Sequence, residues 1–255
     1  MILAIDVGNT NIVVGCIDKE RTYFIERLST DRSKTELEYA IMIKNVLDIY
    51  QIQPDQLDGG IICSVVPQIT QILKLAVNKI MPKDICVLGP GIKTGMNILM
   101  DNPAQVGSDL IADAVGAINE YPTPLIIFDM GTATTVCVVD KNKNYIGGMI
   151  LPGIRTALDA LTAKAAQLSG IELVAPKKAI GKNTVECMRS GIVNGNAASV
   201  DGIITRMEEE LGEKATVVAT GGLAKIVTPF CKQEIILDED LLLKGLLCIY
   251  EKNKA

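Results

Sequence analysis

Short apolar runs alternate with stretches whose apolar positions recur every three or four residues. Residues 1–7, 12–18 and 22–29 are apolar-rich and separated by polar turns, which predicts three consecutive strands. Ser33 and Glu36 have the spacing of an S-x-x-E capping box, and behind them Leu37, Ala40, Ile41, Ile43, Leu47 and Tyr50 repeat as one buried face of a helix. Gly59-Gly60 precedes a buried strand over 61–66, Pro67 opens a helix carrying Ile69, Ile72, Leu73 and Ala76, and 84–88 is a further strand. The second half repeats the order. Strands are predicted at 124–129, 133–140 and 144–151, then helices from 154 to about 166 and from about 184 to 211. A short strand at 216–219, a helix opened by Gly221-Gly222, a strand at 234–237 and a helix at 239–251 close the pattern.

A polar phrase interrupts both halves at the same place. Asp6-Val7-Gly8-Asn9-Thr10-Asn11 runs into the apolar Ile12-Val13, and Asp129-Met130-Gly131-Thr132-Ala133-Thr134 runs into Thr135-Val136. Glycine lets backbone approach a phosphate oxygen closely, and hydroxyls and N–H groups in a tight turn form an anion-binding concavity. A carboxylate there wants a cation between itself and phosphate, so Asp6 at a strand end suits Mg²⁺, directly or through water. Either phrase alone reads as an ordinary hairpin turn. The pair, at matching positions of a repeated order, favours two hairpins facing a nucleotide across a cleft. The order of three strands, helix, strand, helix, strand, helix, taken twice, predicts an α/β chain with a duplicated actin-like (ribonuclease H-like) fold. Two domains are expected, 1–115 and 116–255, each with a mixed five-stranded sheet and flanking helices.

Composition narrows the chemistry. The chain has 255 residues and a net charge of −5, with no basic stripe of the kind that binds a nucleic-acid backbone. It has no histidine, which excludes a Ser-His-Asp triad, a Cys-His pair and a histidine zinc site, and leaves Asp, Glu, Lys or Tyr as general base. Seven cysteines without a C-x-x-C pair read as reduced, mostly buried small hydrophobes. The N-terminal segment has no basic region of a signal peptide, and no apolar run is long enough to span a membrane, so a cytoplasmic protein is expected. Gly89-Pro90-Gly91-Ile92-Lys93-Thr94-Gly95 matches neither the dinucleotide nor the P-loop spacing and reads as a structural loop. Asp109, after Gly107-Ser108 and before a helical run, reads as either an N-cap or a base.

Five motifs in order resemble those of type III pantothenate kinases over essentially the whole chain. They are the Asp6 phrase, Asp101-Asn102-Pro103 with Val106-Gly107-Ser108-Asp109, the Asp129 phrase, Gly147-Gly148-Met149-Ile150-Leu151-Pro152-Gly153, and Gly181-Lys182-Asn183-Thr184. The resemblance implies ATP-dependent phosphorylation of pantothenate, the first step towards coenzyme A. It also implies Mg²⁺, a monovalent cation (K⁺ or NH₄⁺), and an active site at a homodimer interface. Carried onto this chain, it assigns Asp6, Val7, Gly8, Asn9, Thr10, Asn11, Ile12 and Val13 to the ATP phosphates, with Thr132 adding a contact. It assigns Asp129 to the monovalent cation, Gly107, Ser108, Asp109 and Leu110 to substrate with Asp109 as base, and Thr184 to pantothenate.

Two positions depart from the family pattern, which has arginine where Leu110 stands and tyrosine where Met100 stands. Both are expected to face pantothenate, and Leu110 cannot pair with a carboxylate as arginine does. Lys93, Arg155 and Lys182 are nearby cations that could take over. Alternatives are a nucleotide-binding regulatory protein of the same fold without this activity, and a kinase of another small alcohol.

Overall fold

The computed structural model describes residues 1–165 and 168–254. In its first half it has β1 (Ile2–Val7), β2 (Asn11–Ile17), β3 (Thr22–Ser29), α1 (Glu36–Ile49), β4 (Gly59–Ser64), α2 (Pro67–Ile80), β5 (Ile85–Val87), β6 (Asn97–Ile98) and α3 (Ser108–Glu120). There follow β7 (Leu125–Met130), β8 (Ala133–Val139), β9 (Asn144–Pro152), α4 (Ile154–Lys164), α5 (Thr184–Leu211), β10 (Thr216–Thr220), α6 (Ala224–Val227), β11 (Ile236–Leu237) and α7 (Leu241–Asn253). Packing divides the chain into two units, Met1–Met96 with Asn102–Asn119 and Asp240–Ala255, and Asn97–Asp101 with Glu120–Glu239.

The first unit is built on a five-stranded sheet in the order β3-β2-β1-β4-β5. β1, β2 and β3 are antiparallel neighbours, while β1, β4 and β5 run parallel. β4 is buried over Gly59–Cys63, as a central parallel strand covered on both faces should be. Leu3, Ile5, Val7, Ile62 and the apolar faces of α1 and α2 form one core. Ile2, Ala4, Ile61 and Cys63, on the other face, pack against Ala112 and Val115 of α3 and Leu243, Leu246 and Ile249 of α7. Gly116 and Gly245 bring those two helices into backbone contact, since a methyl group on Gly245 would collide with the Ala112 carbonyl. The closing helix therefore belongs by packing to the first unit, unlike in a division of the chain at 115/116.

Local chemistry shifts one expected start. The capping box of α1 is Thr35 with Glu38, where the Glu38 carboxylate accepts from Thr35 N at 2.8 Å, and not Ser33 with Glu36. Asp31 takes the Ser33 hydroxyl at 2.7 Å, which removes Ser33 as a cap.

The second unit carries a sheet in the order β11-β10-β7-β8-β9-β6. Its first five strands repeat the first sheet's arrangement, so the duplication read from the sequence is present. The sixth strand corrects the expectation of five. β6 is a two-residue strand, too short to leave a pattern in the sequence, that pairs through Asn97 and Ile98 with Asn144 and Tyr145. The helix expected after Gly221-Gly222 is the single turn α6, followed by a 3₁₀ turn over Thr228–Phe230. The helix expected from 154 to about 166 ends at Lys164, and 166 itself lies outside the described residues. Residues 89–95 form a loop with Gly91 and Gly95 at positive φ. Among the described residues no helix is long and apolar enough to cross a membrane.

Candidate active site

The first polar phrase is the hairpin between β1 and β2. Asp6 pairs with Val13 and Val7 with Ile12, and Gly8 N donates to Asn11 O at 2.9 Å, so Asn9 and Thr10 form a two-residue tip. The side chains of Val7 and Ile12 are fully buried, so only their backbone can serve a ligand, while Asn9, Thr10 and Asn11 are exposed. Thr30, just past β3, braces the turn twice. Its N–H donates to Thr10 O (3.0 Å) and its hydroxyl to Gly8 O (2.7 Å). Arg32 Nη2 donates to Asn9 Oδ1 at 3.4 Å, which brings a positive charge to the tip.

Asp6 lies beside the start of α3 because of strand pairing. It is the register partner of Cys63 on β4, with which it shares a sheet face. The Cys63 thiol donates to Ser108 Oγ (3.2 Å), and Ser108, the first residue of α3, donates to Ser64 O (3.1 Å). Burial pushes the Cys63 thiol well above its ordinary pKa, and the negative charges of Asp6 and Asp109 push it the same way. Two carboxylates thus act on one thiol. Asp109 sits in the first turn of the helix, where its Oδ1 accepts from Leu110 N at 2.9 Å. Its carboxylate folds back over Gly107, where a Cβ would collide with Oδ1. Burial raises the Asp109 pKa against the lowering effect of those backbone hydrogen bonds, so the group has both the helix-end contact and the raised proton affinity of a base. One or two hard carboxylate donors suit Mg²⁺ that takes its other ligands from phosphate and water.

The second phrase makes a tighter hairpin. Asp129 pairs with Thr135 and Met130 with Thr134, and Gly131 N donates to Ala133 O at 2.9 Å, leaving Thr132 alone at an exposed tip. Gly153 N and Thr156 Oγ1 donate to Thr132 O at 3.1 and 2.7 Å. Gly221, at φ +90°, lies against Asp129, and a Cβ there would fall 2.5 Å from Oδ1. Thr135, directly opposite Asp129, has a buried hydroxyl with no hydrogen-bond partner among the described residues. A carboxylate and a hydroxyl on one sheet face are oxygen donors of the kind a hard monovalent cation takes.

Of the other predicted residues, Leu110 is half-buried in the first turn of α3, and Met100 is exposed with its sulfur near Gly147. Thr184 is exposed and opens α5, which Asn183 caps through Glu186 N at 3.0 Å. Lys93, Arg155 and Lys182 are exposed. The sequence reading had no role for Thr30, Arg32, Cys63, Ser64 or Gly221 in a site. Cys63 has the local appearance of one more buried thiol, and its place beside Asp6 depends on pairing with a strand far away in the chain.

A family model described as Type III pantothenate kinase matches residues 2–206. An Exiguobacterium protein named type III pantothenate kinase is 46% identical over 254 residues, covering 100% of each chain. One from Bacillus cytotoxicus is 45% identical over 253 residues, covering 99% of this chain and 97% of its own. Among solved structures, MreB 5 of Spiroplasma citri bound to AMPPNP aligns with a TM-score of 0.55 at 11% identity, over 98% of this chain and 96% of that one. That likeness concerns the fold alone.

Proposed function

Because the chain belongs to the type III pantothenate kinase family, and so uses ATP to phosphorylate pantothenate at the entry to coenzyme A biosynthesis, we propose that Asp109 is the base of that transfer. The observation that carries this is the half-buried Asp109 carboxylate, raised in proton affinity, at a helix start that shares the Cys63 thiol with Asp6. Phosphoryl transfer needs an oriented alcohol, an acceptor for its proton and neutralisation of phosphate charge, and Mg²⁺ supplies the last when bound with ATP. In this reading residues 6–13 line the ATP phosphates, Thr132 adds a contact, and Asp6 would hold Mg²⁺, directly or through water. Met100, Gly107, Ser108, Leu110 and Thr184 hold pantothenate, with the exposed cations Lys93, Arg155 and Lys182 as candidate partners for its carboxylate.

Asp129 binds the monovalent cation, K⁺ or NH₄⁺, a reading supported by Gly221 and by the Thr135 hydroxyl opposite it. The protein works as a homodimer in the cytoplasm. Exposed apolar residues on β9, Ile146, Met149 and Ile150 (the last at 78% exposure), support a partner surface on the second unit, and seven free thiols suit a reducing compartment. A regulatory protein without the activity, or a kinase of another alcohol, is not favoured at this level of identity to named pantothenate kinases. Purified protein given Mg-ATP, K⁺ and pantothenate should yield a product one phosphate heavier by mass spectrometry. Asp109→Asn should yield almost none while still binding ATP, and a variant working near the wild-type rate would remove Asp109 from the role.

A further inference from the structure

One short chain of hydrogen bonds leads to the proposed base through Ser108, and its other members, Cys63 and Ser64, have no part in the chemistry assigned above. Cys63, with no exposed surface, donates its thiol proton to Ser108 Oγ (3.2 Å), and Ser108 donates in turn to Ser64 O (3.1 Å). Cys63 and Ser64 end a central strand, and Ser108 opens the helix that carries Asp109. Ser64 is itself held, because its hydroxyl oxygen accepts from Val66 N (3.1 Å) and from Thr70 Oγ1 (2.8 Å). The relay therefore runs from a fixed strand end to the residue before the base. The hydroxyl of Ser108 has its only proton committed to Ser64 O, so its orientation is set.

We propose that Cys63 is a positioning residue, which through Ser108 fixes the first turn of α3 and with it the Asp109 carboxylate. This rests on the reading of Asp109 as the base. A cysteine suits the place sterically: it is fully buried at the strand end, and its thiol is within hydrogen-bond reach of both Ser108 Oγ and the Asp6 carboxylate. Serine can imitate the donor and alanine cannot, which separates positioning from packing.

The test compares kcat and the KM values for ATP and pantothenate in Cys63→Ala, Cys63→Ser, Ser108→Ala and the Cys63→Ala/Ser108→Ala double variant, with Tm measured for each. Cys16→Ala serves as the packing control, since Cys16 is equally buried but lies on β2 in a different core. Cys63→Ala should lower kcat about tenfold and leave the KM for ATP within about twofold, because small misplacements of a reacting group cost rate more than binding. Cys63→Ser should recover most of the loss. The double variant should be no slower than Ser108→Ala, because both changes cut the same relay. Cys16→Ala should lower Tm and keep kcat. The proposal is overturned if Cys63→Ala keeps the wild-type kcat while Asp109→Asn is inactive, if Cys16→Ala loses kcat equally, or if serine does not rescue. If Asp109→Asn itself turns over near the wild-type rate, the base assignment fails and the positioning role falls with it.

Discussion

The two hairpins share a phrase and a plan but differ in what surrounds their carboxylates. In each, a parallel strand pairs beside the acid: Cys63 on β4 lies next to Asp6, and Thr220 on β10 next to Asp129. In each, the turn is braced from just beyond the third strand, by Thr30 in the first case and by Gly153 and Thr156 in the second. The first tip is one residue longer, Asn9-Thr10 against Thr132 alone. Beside Asp6 comes a helix start with a second carboxylate. Beside Asp129 comes the backbone of Gly221, which leaves no room for a side chain. The two similar turns therefore differ in what stands beside their acids, a helix start next to Asp6 and a glycine backbone next to Asp129, and the proposed split between phosphate and cation roles rests on that difference.

That division is broken most sharply at Asp109. Asp109→Asn should lower kcat by about a thousandfold, the scale of a lost general base, with ATP binding retained in a calorimetric titration. Stability should move the other way. The folded pKa of Asp109 lies above its ordinary value of 3.8, so the folded state binds more protons above that pH, and wild-type stability falls as pH rises through the window. Asp109→Asn should therefore unfold at the same or a higher temperature than wild type at neutral pH, with the difference closing as pH drops below the ordinary carboxylate value.

Gly221→Ala tests the other hairpin. It forces a side chain into a positive-φ position and against Asp129, which should cost about 2 kcal/mol in denaturant unfolding and abolish activation by K⁺. A variant of normal stability with unchanged K⁺ response would detach Gly221 from the Asp129 site. Thr30→Val and Thr156→Val compare the braces. Each removes one hydroxyl bond and should cost about 1 kcal/mol. Only Thr30→Val should raise the KM for ATP by about fivefold, if the longer tip is the main phosphate contact. The smallest effect is expected at Arg32→Ala, an exposed cation at the first tip. Its KM for ATP should rise about twofold, less so at high salt, as exposed charge interactions are weak and screened.

The strand, turn and helix order was legible because each half repeats a pattern that depends on local periodicity. Asp6 and Asp129 stand out because the same acid-glycine-hydroxyl phrase recurs at matching places in the two halves, and Asp109 stands out as a base through the family resemblance. Their neighbours were not. Cys63 meets Asp6 only through the β1–β4 register, and Gly221 meets Asp129 only through β7–β10. The closing helix packs with the first sheet because Leu243, Leu246 and Ile249 complete a core face begun by Ile2 and Ala4, which no local pattern announces. The cap of α1 was misplaced by two residues because two overlapping S/T-x-x-E phrases compete, and Asp31 decides between them.

The most direct measurement is the pH dependence of kcat/KM for pantothenate in the wild type and, at high enzyme concentration, in Asp109→Asn. The wild type should lose activity on the acid side through a single ionisation centred above 3.8, since the base works only when deprotonated and burial holds its proton more tightly. That ionisation should be missing from the residual activity of Asp109→Asn. An acid limb of the same midpoint in both proteins would contradict the assignment of Asp109 as the base.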